Sequence, residues 1–299
     1  MLIVDGQVHT WAASTPQRPW PASENPHRAV PLGTDDLLKE MNAAGVDRAV
    51  LVPPGWEGAR NDLALSAARS DPDRFAVMGR IRPDLLSTSQ GVLLNWRSQP
   101  GMLGVRLALN NPGAAKFLDS GKLNWLWQEA ESAGVPLMIL VRHADVHYID
   151  AVAERHPRLK IIMDHLALDS KQRDAAAFRE FDKLLAIAKR PNVAAKASAL
   201  PCYSSDVYPY RSLHGYIRQV YDAFGPRRMF WGTDLSRSPI LYRQQVTMFT
   251  EEIPWLTPDD KIWIMGRGIC EWLGWQYQDK QCACAGASRR ELRAIGKTR

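Results

Sequence analysis

The sequence predicts an α/β protein, a (β/α)8 barrel, on three observations. Short apolar, β-branched runs alternate with helical patterns eight times along 299 residues, the pattern of a parallel sheet wrapped by helices. The runs lack sustained in–out alternation, as strands covered on both faces do. No GxGxxG follows a strand and no GxxxxGK[ST] occurs, which removes the usual support for an open, doubly wound sheet.

The first strand is read at Leu2–Val8 and is followed, after a long connection, by a helix at Thr34–Ala44 that Gly45 ends. Strand two, Ala49–Val52, leads to a helix at Asn61–Ser70. The third pair is Phe75–Ile81 with Gln90–Arg97, and the fourth is Leu103–Leu107 with Lys122–Ala133, stopped by Gly134. Strand five, Leu137–Val141, precedes a helix at Val146–His156. Strand six, Lys160–Met163, precedes Ala175–Lys189, which Pro191–Asn192 closes. Strand seven, Val193–Ala197, leads to Arg211–Phe224 and the Gly225–Pro226 turn, and strand eight, Met229–Trp231, leads to Ile240–Glu252. Glycine just past a helix tolerates the left-handed cap, so these stops support the helix ends. AGVDRAVLV (Ala44–Val52) and AGVPLMILV (Ala133–Val141) repeat the same cap and buried strand.

Two segments fall outside the repeat. Trp11–Val30, rich in Pro, Trp and polar residues, follows a strand's carboxyl end, where a connection of that length reads as a lid. Lys261–Tyr277, rich in Trp, reads as a final helix packed over the barrel. The expected organisation is a single barrel over 1–277 and a basic, flexible tail over 278–299.

Composition narrows the class. With 45% hydrophobic and 23% charged residues the chain has globular composition. No apolar run reaches the roughly 18–20 residues a bilayer span needs, so no membrane association is expected. Residues 280–299 carry six Lys and Arg against Glu291 alone, so nearly all of the net charge of +6 sits on the tail. Nucleic-acid binders place such charge on a folded face, and no nucleic-acid partner is expected. The amino terminus MLIVDGQVHT has no basic segment ahead of an apolar run. Cys202, Cys270, Cys282 and Cys284 show no CxxC spacing. The expectation is a cytoplasmic chain with reduced thiols and a small-molecule substrate, a homo-oligomer remaining open.

In a barrel the chemistry sits at strand carboxyl ends. Strand one ends with Gln7 and His9, two apart and so on one side. Strand four ends with Arg106, strand six with Asp164-His165 and strand eight with Asp234. Strand seven carries Lys196 and Ser198, with Tyr203 shortly after. Each has a bland reading: Asp234 as a helix cap, Lys196 snorkelling from the rim, a lone histidine as a structural hydrogen-bonding group. His143 and His147 have the spacing of helical metal ligands but read as a solvated face. Five such groups at one pole favour a site.

VDGQVHTW, DHLAL and FWGTDLSRSP resemble the amidohydrolase superfamily, over about residues 2–275. The resemblance is closest to the amidohydrolase-related branch that holds sugar-acid lactonases, a pyrone dicarboxylate lactonase and carboxymuconate-semialdehyde decarboxylase. IMGRGICEWLGW resembles that branch's segment after the barrel. The resemblance implies that His9 matches the second histidine of the strand-one pair, His165 a barrel histidine and Asp234 the general base. Gln7 replaces the first histidine of the pair, and Arg106 stands where metal-rich members carry a bridging residue.

These departures bear on the cofactor. Gln7 is a poor zinc ligand and Arg106 repels cations, so no cofactor is favoured. A weakly bound Zn or Mn on His9, His165 and Asp234 is the alternative. The expected function is hydrolysis of a lactone of a small acidic or polyhydroxylated substrate. Asp234 would activate water; His9, His165 and Gln7 would polarise the carbonyl. Arg106 and Lys196 would bind a substrate carboxylate, and Tyr203 with Trp20 would close over the ring. A metal-dependent decarboxylase and a non-catalytic binding barrel are the alternatives.

Overall fold

The computed structural model describes residues 1–21, 26–81, 91–111 and 113–277. Its eight strands are β1 (Val4–Val8), β2 (Arg48–Leu51), β3 (Phe75–Gly79), β4 (Met102–Ala108), β5 (Leu137–Leu140), β6 (Ile161–Met163), β7 (Val193–Ser198) and β8 (Met229–Gly232). They run in sequence order in one parallel sheet. The sheet curls into a nearly closed barrel. At the seam the Asp234 N–H donates to Gln7 O at 3.0 Å. Asp5 staples the same seam, accepting from Gln7 N, Thr233 N and Oγ1 and Tyr242 Oη. Gly6 is required here, because a Cβ would come within 2.7 Å of Trp231 O.

The expected strands are all present within about two residues of their ends, the ordinary fraying of such boundaries. The helices Thr34–Ala44 and Arg211–Phe224 match their expected bounds. Three helices differ. The expected Ala175–Lys189 is broken into Asp174–Ala177, Phe181–Ala186 and a 3-10 turn at Ile187–Lys189. In place of Gln90–Arg97 there is a 3-10 turn at Trp96–Ser98, residue 90 lying outside the described residues. A helix at Ala114–Asp119 carries no apolar periodicity and was not expected.

Two apolar layers hold the barrel. The larger lies between strands and outer helices, with Leu37, Met41, Leu126, Ile149, Ile217 and Val246 packed on the outward strand faces. The smaller fills the interior with Val4, Val50, Ala76, Met138, Ile162, Ala194 and Phe230. It is closed at the amino-terminal end by Ile269, Cys270 and Leu273 of the helix Gly268–Leu273. The expected final helix therefore exists, entered through a π-turn at Trp263–Arg267, but it stops at Leu273 where Gly274 turns left-handed at φ 70°. The basic tail, with Cys282 and Cys284, lies outside the described residues.

Candidate active site

The carboxyl ends of the strands open onto a cavity of about 510 Å³. Gln7 and His9 reach it from β1, Arg106 from β4, His165 from the turn after β6 and Asp234 from the turn after β8. The backbone turns sharply to present the last two. His165, Leu166 and Ala167 have φ of 47°, 53° and 56°, and Asp234 has φ of 50°. Left-handed backbone disfavours side chains with a Cβ, at about 1–3 kcal/mol each, and such strain gathers at functional sites.

Asp234 is the hub. His9 Nε2 lies 3.0 Å from its Oδ1, His165 Nε2 3.8 Å from its Oδ2, and Arg237 Nη1 3.4 Å from its Oδ2. His9 Nδ1 donates to Val52 O at 2.6 Å, so its approach to the carboxylate is favourable when Nε2 also carries a proton. Burial alone would raise the Asp234 carboxyl, but His9, His165 and Arg237 outweigh it and hold it well below the usual carboxylate range. Burial pushes His165 down to about 3 against the pull of Asp164 and Asp234, so its ring is neutral at pH 7.

A second charge cluster lies beneath. Asp164, with no exposed surface, ion-pairs with Lys196 at 2.5 Å and accepts from Arg106 Nε at 3.2 Å. Burial would raise its carboxyl, but Lys196, His165 and Arg106 hold it at about 2. Lys196 also donates to Gln7 Oε1, and Gln7 Nε2 faces His165 Nε2 at 3.2 Å and His9 Nε2 at 3.5 Å.

Gln7, His9, Arg106, His165 and Asp234 thus meet in one cavity, whereas three expected site residues do not line it. Lys196 is wholly buried among Gln7, Asp164 and Met138, since a cation on the barrel's interior face finds its partners there and not at the rim. Tyr203 is buried beneath Arg237, whose guanidinium sits 5.7 Å from its ring, and burial raises its phenol to about 12. Trp20 bonds back on its own loop, donating to Ala12 O at 3.2 Å.

Of the lining residues that were not among the sequence candidates, four bring a guanidinium or an aromatic ring to the cavity. Arg80 directly follows β3, a strand end where the same reading would have found it. Arg237 stands three residues after Asp234. His27 comes from the long connection after β1, donating or accepting at Ser236 Oγ at 2.8 Å. Trp56 comes from the loop after β2 and packs edge-on against His27 and His9. That connection is anchored by Arg18, paired with Glu57 and Asp62 at 2.7 Å each; residues 22–25 of it lie outside the described residues.

The donor set meets a divalent ion poorly. Among the described residues no group of three or more His, Cys, Asp or Glu is arranged to hold a metal. His9, His165 and Asp234 converge, but the neighbouring Gln7 offers amide hydrogens, because Lys196 occupies its oxygen. His143 and His147 each bond a backbone carbonyl, of Leu166 and Ala144 respectively. A larger cavity, about 850 Å³, opens at the opposite end of the barrel beside Arg48, Asp73 and Arg74. Its cations are engaged: Arg48 bonds Gln276 O and Arg74 bonds Asn42 Oδ1 and Val46 O.

Comparison with known proteins gives a consistent outcome. Residues 4–279 match the family model described as Amidohydrolase. The chain is 27% identical over 236 residues to an L-fucono-1,5-lactonase of Burkholderia ambifaria, covering 77% of this chain and 79% of that one. It is 25% identical over 206 residues to a 4-sulfomuconolactone hydrolase of Hydrogenophaga intermedia, covering 68% of this chain and 65% of that one. Among solved structures, an amidohydrolase from Burkholderia multivorans with bound zinc superposes with a TM-score of 0.74 at 18% identity, covering 92% and 99% of the two chains.

Proposed function

The chain belongs to the amidohydrolase family, and from that premise we propose that its barrel mouth hydrolyses a lactone bearing one or more acidic groups. One observation carries the reading: a buried, ionised Asp234 stands between His9 and His165 in a cavity that Arg80, Arg106 and Arg237 also line. The names of the two relatives, both lactone hydrolases, support the reaction class. The arginines favour the acidic over the polyhydroxylated substrate. Arg80 and Arg106 stand on neighbouring strands β3 and β4, and Arg237 follows β8 across the barrel. A ring with acidic groups at opposite edges would meet a cation at each, and arginine suits carboxylate or sulfonate recognition by its fixed fork of donors.

In the proposed reaction a water donates to Asp234 Oδ2, an oxygen that faces the hydrogen-free Nε2 of His165 across 3.8 Å. Its oxygen attacks the ring carbonyl as Asp234 takes one proton. The Gln7 amide hydrogen not given to His165 stabilises the carbonyl oxygen as it gains charge, while His9 Nε2 holds Asp234 Oδ1 at 3.0 Å. When the ring C–O bond breaks, the proton on Asp234 passes to the departing alkoxide, leaving a hydroxy acid and a regenerated carboxylate. Because His165 Nε2 accepts from Gln7, it has no hydrogen to compete with the water for Asp234 or to offer the carbonyl, and leaves that second role to Gln7. No step runs through a metal, since the amide hydrogens of Gln7 and the cations Arg106, Lys196 and Arg237 oppose one.

The test is turnover of purified protein on a panel of mono- and dianionic lactones beside neutral sugar lactones, with and without chelator. The reading expects kcat/KM for an anionic lactone to exceed that for the best neutral one by at least about tenfold, the worth of one charge-assisted contact. Equal or better turnover of neutral sugar lactones overturns the acidic assignment; no ring opening at all overturns the hydrolase.

A further inference from the structure

Lys196 and its partner Asp164 are ionised side chains of the cluster that the proposed reaction does not touch. Lys196 lies on β7 with no exposed surface, and its stem runs past Gly6, where an added Cβ would come within 3.2 Å. Its ammonium meets Gln7 Oε1, Asp164 Oδ1 and, at 3.1 Å, Met138 Sδ.

The chemistry of these atoms settles directions that heavy-atom positions alone leave open. An ammonium only donates, so the atom of Gln7 facing it is the oxygen. The amide nitrogen is thereby turned to the mouth, 3.2 Å from His165 Nε2. An amide nitrogen also only donates, so His165 Nε2 is an acceptor. The neutral ring then carries its hydrogen on Nδ1, where Ser198 Oγ stands at 2.8 Å to receive it. Each bond dictates the next, from Lys196 through Gln7 and His165 to Ser198.

We propose that Lys196 is a positioning residue that sets the tautomer of His165 through the Gln7 amide. The consequence is at the mouth: His165 Nε2, its lone pair taken by the Gln7 amide, carries no hydrogen towards Asp234 Oδ2 3.8 Å away, and that oxygen is met there only by Arg237 Nη1 at 3.4 Å. Rotate the Gln7 amide and the hydrogen moves to His165 Nε2, where it faces both the amide oxygen and Asp234 Oδ2 and competes with the water for that carboxylate. Asp164 completes the device by neutralising the ammonium in the barrel interior. The kinetic consequence rests on the lactone-hydrolase reading; the tautomer does not.

The experiment is a long-range 1H–15N correlation spectrum of the full chain labelled with 15N-histidine at pH 7. His165 is assigned by its disappearance in His165→Gln. The expected wild-type state is Nδ1–H. Gln7→Glu keeps the contact with Lys196 but turns a carboxylate oxygen to His165, and should move the hydrogen to Nε2. Lys196→Met should give a mixture of tautomers, and should lower kcat by about 10–100-fold with KM nearly unchanged, the usual effect of losing an orienting partner. Lys196→Met leaves Asp164 buried without its partner and risks unfolding, which is why Gln7→Glu carries the test. An Nε2–H wild type, or a Gln7→Glu spectrum identical to it, overturns the proposal. A raised KM with unchanged kcat in Lys196→Met would return Lys196 to substrate binding. Failure of the lactone panel leaves the spectra readable, so the two readings fail separately.

Discussion

The two ends of the barrel are built from the same eight strands and obey opposite rules. At the amino-terminal end Ile269, Leu273 and Trp275 close the interior against Val4, Val50, Ala76 and Phe230, all buried and apolar. At the carboxyl end the interior is filled by Gln7, Asp164, His165, Lys196 and Asp234, each at most 2% exposed. The backbone differs as well: β6, β7 and β8 all leave the barrel through left-handed residues, at His165–Ala167, Ala199 and Asp234. The floor contributes stability by removing apolar surface from water. The mouth gives some of it up, holding buried charges and strained turns that only the surrounding packing sustains. Stability and chemistry are therefore separable by position, and substitutions at the two ends should behave differently.

The sharpest contrast is expected at Asp234. Asp234→Asn keeps the shape and should lower kcat on an acidic lactone by about 10²–10⁴-fold, the contribution of a positioned base, with a small change in melting temperature. Wild-type kcat in that variant removes Asp234 as the base and leaves it a turn residue. The converse belongs to the floor. Leu273→Ala should lower the unfolding free energy by about 2–5 kcal/mol in a urea titration while kcat of the folded protein stays within about twofold. A catalytic loss comparable to that of Asp234→Asn would mean the ends are coupled.

Part of the pH dependence of stability comes from the mouth. His165 is held near 3 in the folded chain against a usual value near 6.5. Its neutral form is the one the fold favours, so the stabilisation is complete above pH 6.5. It is lost as pH falls from 6.5 towards 3, where the unfolded chain binds a proton that the folded chain does not. Unfolding titrations between pH 6 and 4 should show about 1.4 kcal/mol per pH unit from this group, and His165→Gln should flatten the slope. Asp164, held at about 2, adds a loss confined to pH below about 4. An unchanged slope in His165→Gln would place the proton uptake elsewhere. The smallest effect is expected from chelation: removing divalent ions should change kcat by less than about twofold, because Gln7 presents hydrogens where a ligand atom would be needed. One tightly held ion per chain, lost together with activity, would break that reading.

Much of this was legible in the residues. The mouth histidines, Arg106 and Asp234 were found because a strand's carboxyl end is a fixed place in a barrel. Arg80 obeys the same rule and was within reach of it. His27 was not, since a 20-residue connection has no periodicity to say which of its side chains folds back. Lys196 is a harder case. Its place on β7 is legible and its burial away from the cavity lining is not, because spacing tells which face a side chain takes and not how deep along the barrel axis it sits.

The sequence by itself determined the alternation of strand and helix, the apolar faces and the strand ends that carry chemistry, because periodicity and capping act over neighbouring residues. Tertiary structure alone decided the charge partners. Lys196 meets Gln7 189 positions away, and Arg106 meets Asp164 58 positions away. Those contacts depend on how eight strands stagger as the sheet closes, and the direction of each hydrogen bond depends on the partner so delivered. The same residues in an open sheet would keep their spacing and lose the site.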